Sequence, residues 1–487
     1  MREAPLKSNR KVFHFQPNSY ADWRARLLAS TALCEGGNST VPSEKLLQQI
    51  WYHQRLLRDQ LATVDGRTVR VLHPGFWNHE SGPDFLGAVI QIGSDAPKVG
   101  DVEIDLRAQG WRSHGHFRNP AFRRVLLHVI WEEEAGEHLP LLSLKSRLDS
   151  PLAELEYWLG QEALAIPEPI LGNCCGPLRN LSSEAVKEIL RQAAEIRLRS
   201  KAALFQARAK QLGADGALRE GLFAALGYKH NVWPMQRLAH LAGEMSRGQP
   251  KATPFEWQAR LLGLSGLLPA DLPGRSRGSG AYVRRVWDLW WRERESWCDS
   301  SLPKQTWRLD GIRPANHPQR RLALAAHWLA TDGFHERIEQ WFTTELPKSK
   351  WEAALLAVFQ SAKDEFWSWH WTLNSKKLSK AQPLLGETRL TDIAVNVILP
   401  WFWMRAVAGK NDALRVRAEQ RYYEWRPAQD NAVLRLARLR LFGGRAPHLH
   451  TAAEQQGILQ IVRDFCQHSN ALCEQCEFPK LVREFGA

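Results

Sequence analysis

Between residues 60 and 131 the chain alternates short apolar runs with polar turns, at the two-residue period of β-strands. Residues 68–72, 85–92, 101–106 and 125–131 read as strands, with a turn at Asp65-Gly66, a polar loop at 75–83 and a turn across 93–100. The run 125–131 is apolar almost throughout, which predicts a central strand covered on both faces. Residues 139–148 offer one more strand, and 151–159 open a helix. Ahead of the strands, Ser43 is placed to cap a helix carrying Glu44, Leu46, Leu47, Ile50 and Trp51, and a shorter helix is predicted over 20–33.

After the proline-bearing linker at 165–169 the period changes to that of helices. Ser182 or Ser183 caps a long pattern running to about residue 212, with Val186, Leu190, Ala193 and Leu204 among its apolar positions. Helical periodicity continues to about 465, broken by loops such as 273–280, with no repeat at fixed period. The expectation is an α/β domain followed by a large, mostly α-helical domain. Its boundaries are 1–40 for an N-terminal extension, 41–165 for the α/β domain, 176–464 for the helical domain and 465–487 for a cysteine-bearing tail.

Composition changes this picture mainly through charge. The 487 residues suit about two to four domains, and 44% hydrophobic with 24% charged residues is an ordinary globular balance. Lys plus Arg outnumber Asp plus Glu by 65 to 52, a net +13 that favours a polyanionic partner, nucleic acid first. The 22 tryptophans often neighbour arginine, as in residues 287–292; such pairs can stack on bases, though large residues on helices belong more readily to a core. The first residues are polar, and no stretch approaches the ~18 uninterrupted apolar residues of a spanning helix. Seven unevenly spread cysteines do not form a disulfide framework. The expectation is a soluble cytoplasmic protein without membrane contact, its oligomeric state open.

Candidate chemistry gathers in the α/β part. Asp84 lies where a loop enters a strand, and Glu103 and Asp105 are two apart on the next, so both project from one face. If the strands are neighbours, three carboxylates converge, the donor set of Mg²⁺ or Mn²⁺. Without a cation such a cluster repels itself and its pKa values rise. In an extended stretch His114 and His116 would share one side, and an imidazole there can move a proton at a phosphate. Arg112, Arg118, Arg123 and Arg124 surround this loop and are candidates to grip phosphate. Each has a plainer reading: Asp84 as a turn cap, Glu103 and Asp105 as solvent-facing strand residues, His114 and His116 as a surface turn. His128, inside the apolar strand, reads foremost as a hydrogen-bonded core histidine.

These residues carry two resemblances. The stretch Gly82-Pro83-Asp84-Phe85, Val102-Glu103-Ile104, Trp111, His114-Gly115-His116 and Leu127-His128-Val129 resembles an uncharacterised bacterial family, domain of unknown function 2851. Leu226-Gly227-Tyr228-Lys229, Arg313-Pro314-Ala315-Asn316-His317-Pro318 and Asn396-Val397-Ile398-Leu399-Pro400 fit it too. That resemblance spans nearly the whole chain and implies no activity. More distantly, the first third is similar to the PD-(D/E)XK nuclease superfamily, with Pro83-Asp84 and Glu103 at the motif positions and Glu44 as the helix carboxylate. Asp105 stands where that motif has lysine; Lys98 and Lys145 are the substitutes considered. Trp111-Arg112-Ser113-His114-Gly115-His116 is similar to the Trp-x-x-His-x-His segment of very-short-patch-repair endonucleases. This resemblance implies a restriction-endonuclease-like fold and a metal-dependent nuclease of DNA or RNA, with a DNA-repair connection.

On this reading Asp84 and Glu103 hold Mg²⁺ or Mn²⁺, Asp105 is a third ligand, and His114 or His116 is the general base or acid. Two alternatives stay open: a non-catalytic nucleic-acid binder with a degenerate nuclease fold, and a hydrolase of small phosphorylated molecules. In the tail, Cys466, Cys473 and Cys476 have the spacing C-x6-C-x2-C, a candidate Zn²⁺ or iron–sulfur site. His468, Cys174 or Cys175 is its candidate fourth ligand. The spacing resembles the first three cysteines of the cluster loop in endonuclease III-type glycosylases, with Val482 where a fourth would stand. In the helical part, Arg191, Arg197, Arg199, Lys201 and Arg208 form a basic row suited to phosphates or to a solvated face, with Lys229 and Asn231 following.

Overall fold

A computed structural model describes residues 18–34, 41–78, 82–132, 139–159, 172–228, 230–247, 251–269, 279–309, 312–360, 363–429, 432–443, 447–466, 473 and 476–485. The linker at 165–169, most of the loop at 273–280, Lys229 and His468 lie outside them.

The α/β part is a curled mixed sheet of six strands: β1 (Val69–His73), β2 (Phe76–Trp77), β3 (Phe85–Ile92), β4 (Lys98–Ile104), β5 (Val125–Ile130) and β6 (Leu141–Ser143). Its order is β1-β3-β4-β5-β6, with β2 pairing β3. The pairs of β3 with β1, β2 and β4 are antiparallel, whereas β4–β5 and β5–β6 are parallel. The expectation of an apolar central strand holds for β5, whose residues Leu127 and Val129 are fully buried. The expected strand at 101–106 starts three residues earlier, at Lys98, because Asp95 closes the preceding turn tightly and pairs with Lys98. It also ends earlier: Asp105 has left the strand, though its amide still donates to Val129 O at 3.0 Å.

Helix α1 spans Ser19–Cys34 and α2 spans Glu44–His53. Ser43 caps α2 as predicted, its hydroxyl accepting from the Leu46 amide. Leu46, Leu47, Ile50 and Trp51 of α2 pack against Val102, Ile104, Leu127 and Val129, forming the core of the α/β part. That burial aims the other face of β4, bearing Asp101 and Glu103, away from the apolar layer, with Asp105 just beyond its end. Asp101 is occupied structurally: its Oδ1 accepts from the Gly87 amide, where β3 bulges at positive φ.

The rest is largely helical. Short helices α3 (Gly110–Ser113), α4 (Leu152–Leu159) and α5 (Cys175–Asn180) precede the long α6 (Ser183–Leu226), in which Gly213 breaks the helical backbone near the predicted end. Leu72 and Val89 join the main helical core, so the sheet and the helices share packing. A second helical core joins α1 to the first turns of α6 and to the C-terminal helices. One helical run, Glu387–Ala408, is long and apolar enough to cross a membrane, yet 72% of its most apolar window is buried within the protein, as in a core helix.

Most of the basic row of α6 is paired within the protein, Arg208 buried and the others half-exposed. Arg191 pairs with Glu188, Arg197 with Gln456, Arg199 with Glu195 and Arg208 with Glu220. Asn316 likewise braces the fold, accepting from Tyr228 Oη and Arg321. Of the tryptophans at 287–291, Trp290 is buried, while Trp291 is 54% exposed with the Arg294 guanidinium over its ring.

Candidate functional site

Strand register brings the first two carboxylates together. Phe85 pairs with Val102, so the next position sets Asp84 against Glu103, and the Asp84 amide donates to Glu103 Oε2 at 3.1 Å. The loop before Asp84 is closed by Asn78, whose amide donates to the Asp84 carbonyl at 2.7 Å and whose side chain donates to Pro83 O at 3.0 Å. Asp84 itself accepts from Gln48 Nε2 at 2.9 Å and from the Ile104 amide at 3.0 Å. Gln48 stands one turn after Glu44 on α2, and the sequence pattern does not single it out. Its only signal there is that four-residue spacing.

Asp105 turns to the histidines. His128 Nε2 lies 2.9 Å from Asp105 Oδ2, and His114 Nδ1 lies 3.2 Å from Oδ1. His128 is therefore a hydrogen-bonded buried histidine, as expected, and its partner belongs to the cluster. His116 Nε2 lies 3.1 Å from Glu103 Oε1 but outside hydrogen-bonding geometry, leaving a buried ring nitrogen without a hydrogen-bond partner. Asp105, His114 and His116 bring one ligand atom each within 4.8 Å of one another, as a divalent ion requires.

The histidines do not share a side by extension. They follow the helical turn α3, with Gly115 at φ 74 between them and a 3₁₀ turn from His116 to Arg118. This left-handed glycine brings the two rings to 5.3 Å. His116 stacks on Phe122 at 4.0 Å, and Trp111 lies against both His116 and His128. Gly110 is needed for a different reason: a Cβ there would lie 2.4 Å from Asp105 Cγ and Oδ1. Nothing in the local pattern announces that contact, because it depends on how α3 folds back over the strand end.

The electrostatics are those of an under-compensated cluster. Burial, then the Glu44 charge, push the Asp84 carboxyl up to about 7 against the pull of the Ile104 amide. Burial and the Asp84 charge push Glu103 up to about 9. Burial and the Asp105 charge raise Glu44 as well, which places the helix carboxylate electrostatically within the cluster. Burial lowers His116, so its imidazole is neutral at pH 7 and able to ligate.

Arg112, Arg118, Arg123 and Arg124 are all exposed around this loop, Arg118 over the Phe117 ring. Lys98 is bound to Asp95 at the opposite end of β4 from Glu103, and Lys145 pairs with Glu132 at 2.7 Å. Beside the cluster, Glu44, Asp105, Arg107, Gln109, His114 and Trp131 line a pocket of about 420 Å³.

Neither a curated protein nor a solved structure matches the chain. A family model described as "Protein of unknown function (DUF2851)" matches residues 44–431, a span that includes every residue of the sheet cluster. The chain therefore belongs to the DUF2851 family.

Proposed function

We propose that this protein is a metal-dependent phosphodiester hydrolase acting on nucleic acid. The observation that carries the reading is the junction of two half-sites. Asp84 and Glu103 meet across neighbouring strands, and His116 of the Asp105–His114–His116 group stands 3.1 Å from Glu103. An antiparallel β3–β4 pair with Asp84 at the entry to β3 and Glu103 on β4, followed by parallel β5 and preceded by α2 with Glu44, supports a restriction-endonuclease-like domain.

In this reading Asp105, His114 and His116 hold one divalent ion, and Asp84 and Glu103 supply the neighbouring oxygen ligands. Two imidazoles among the donors favour Mn²⁺ or Zn²⁺ over the Mg²⁺ that an all-carboxylate set would take. The ion would supply charge stabilisation and a water acidic enough to attack phosphorus. His128 orients Asp105, and Gln48 and the Ile104 amide orient Asp84. Half-exposed His114 sets the ion beside the pocket, where solvent would take up the proton of the attacking water. Arg112, Arg118 and Arg123 would meet the phosphate backbone, consistent with the net charge of +13.

A second reading, hydrolysis of a small phosphorylated molecule, is favoured by the pocket of about 420 Å³ beside Asp105, a size that suits a small ligand. Cleavage assays with Mn²⁺ on single-stranded DNA, duplex DNA, branched DNA and RNA, run beside a nucleotide and sugar-phosphate panel, separate the two. Nuclease activity abolished by Asp84→Ala and by Asp105→Ala is the expected result. Equal background from wild type and both variants on every nucleic acid rejects the nuclease reading.

A further inference from the structure

The second helical core ties together parts of the chain that are distant in sequence. Tyr20 and Trp23 of α1, Leu178 of α5, the first turns of α6 and the C-terminal Phe465, Phe478 and Val482 meet in it. Tyr20 Oη donates to Asp464 at 2.8 Å, fastening α1 to the segment that ends in Cys466. Cys174 is buried in this core, and Cys466 and Cys476 pack against it.

The thiols are held there by specific contacts. Arg440 Nη2 donates to Cys473 Sγ at 3.2 Å, and its guanidinium hydrogen-bonds the Cys466 side chain as well. Asn173 Nδ2 donates to the Cys473 carbonyl at 3.3 Å, clamping the residue beside Cys174 onto the tail. The Gly172 amide donates to Arg440 O at 2.9 Å, and a Cβ at Gly172 would lie 3.1 Å from the Cys174 sulfur. Cys174 lies in the core that Cys466 and Cys476 pack against, and Asn173 beside it and Arg440 both bind Cys473, so the four thiols form one group. None is in a disulfide. Four thiols and one guanidinium in an apolar surround have more hydrogen-bonding and charge capacity than packing alone uses.

We propose that Cys174, Cys466, Cys473 and Cys476 are the four thiolate ligands of an iron–sulfur cluster, with Arg440 hydrogen-bonding the ligand sulfurs. The spacing of the group argues for a cluster over a single zinc ion. Four thiolates at ~2.3 Å from one zinc stand about 3.8 Å from each other. Among the described residues, only Asp105, His114 and His116 bring three ligand atoms within 4.8 Å, so these sulfurs are wider apart than zinc requires. A cluster of several irons spreads its thiolates further, and hydrogen bonds to sulfur are among the contacts that set its potential. The cluster fastens the tail and α1 to α5 and α6, away from the sheet, so the proposal is independent of the hydrolase reading.

The test is metal and labile-sulfide analysis of the full chain purified without oxygen, with visible absorption as a second readout. The expected result is about four irons and four sulfides per chain, with iron falling by at least half in Cys174→Ser and in Cys473→Ser. Cys298→Ser, an exposed thiol elsewhere, and Cys175→Ser keep the wild-type content. Cys473 is half-buried, so Cys473→Ser with a wild-type circular-dichroism spectrum decides the matter if Cys174→Ser does not fold. Stoichiometric zinc without iron, or iron retained in Cys473→Ser, overturns the cluster. Loss of iron in Cys175→Ser with retention in Cys174→Ser overturns the ligand assignment.

Discussion

Two buried carboxylate–histidine groups in this protein differ in how fully they are satisfied. In the helical part, Asp364 accepts from His327 Nε2 at 2.8 Å, from Gln258 Nε2 at 2.7 Å and from the amides of Phe366 and Trp367 at 2.9 and 2.6 Å. Burial alone would raise its pKa, but these bonds, led by His327, hold it below the usual carboxylate range. In the sheet, Glu103 accepts from the Asp84 amide and faces an unbonded His116 nitrogen, and both Glu103 and Asp84 are raised. Burial is alike, so the number of donors and the like charge of neighbouring carboxylates, present in the sheet and not among the influences on Asp364, decide the outcome. The first group is complete as protein; the second, on the proposed reading, is completed by a cation.

The sharpest way to break that comparison is to truncate a residue in each group. Asp364→Ala strands His327, Gln258 and two amides in a core, and should lower stability by about 3–5 kcal/mol, read from chemical denaturation. Asp105→Ala should leave the fold cooperative while reducing Mn²⁺ affinity and cleavage about 100-fold or more. If Asp105→Ala unfolds the protein as severely as Asp364→Ala, the distinction between the two groups is lost.

Gly110→Ala is a subtler probe, because its methyl would push Asp105 from the position His128 and His114 share. About a 10-fold loss of Mn²⁺ affinity is expected, measured by calorimetry, with secondary structure unchanged. Wild-type affinity would show that Asp105 is not held where the ion binds.

The smallest expected effect has the opposite sign. In metal-free protein the unfolded chain loses the protons of Asp84 and Glu103 near pH 4, whereas the folded chain keeps them to about 7 and about 9. Between those limits the folded state binds more protons. The stabilisation from these two groups is therefore complete in acid and lost as pH rises through 7 to 9. Asp84→Asn removes part of this slope and should raise the chelator-treated protein's melting midpoint at pH 8 by about 2–4 °C, with little change at pH 5. Asp364→Asn should not stabilise at either pH, since its carboxylate is favoured in the folded state.

Much of the sheet site is legible in the sequence. Alternation marks β3 to β5 and places Asp84 at the entry to β3 and Glu103 on β4, and Ser43 reads directly as the α2 cap. Local signals fix such features, since each depends on period or capping within a few residues. Long-range geometry is not legible in the same way. The α3 turn, not an extended strand, brings His114 and His116 together, and Gly110 and Gln48 matter only once distant segments have docked. By spacing alone Cys174 is one of three candidate fourth ligands. Its place among Cys466, Cys473 and Cys476 depends on a contact closed across nearly 300 residues. In the basic row of α6 the pairs Arg191–Glu188 and Arg199–Glu195 are local and half-exposed, as a solvated face would have them, whereas the Arg197–Gln456 contact depends on a helix far along the chain.

Mn²⁺ binding measured by electron paramagnetic resonance on metal-depleted wild type, Glu103→Gln, Asp105→Ala and Asp364→Asn tests the central claim most directly. The account predicts tight Mn²⁺ binding by wild type with release of protons, weakened binding in Glu103→Gln, its loss in Asp105→Ala, and wild-type binding by folded Asp364→Asn. Equal Mn²⁺ affinity in wild type and Asp105→Ala, or no binding by wild type at millimolar Mn²⁺, would contradict it.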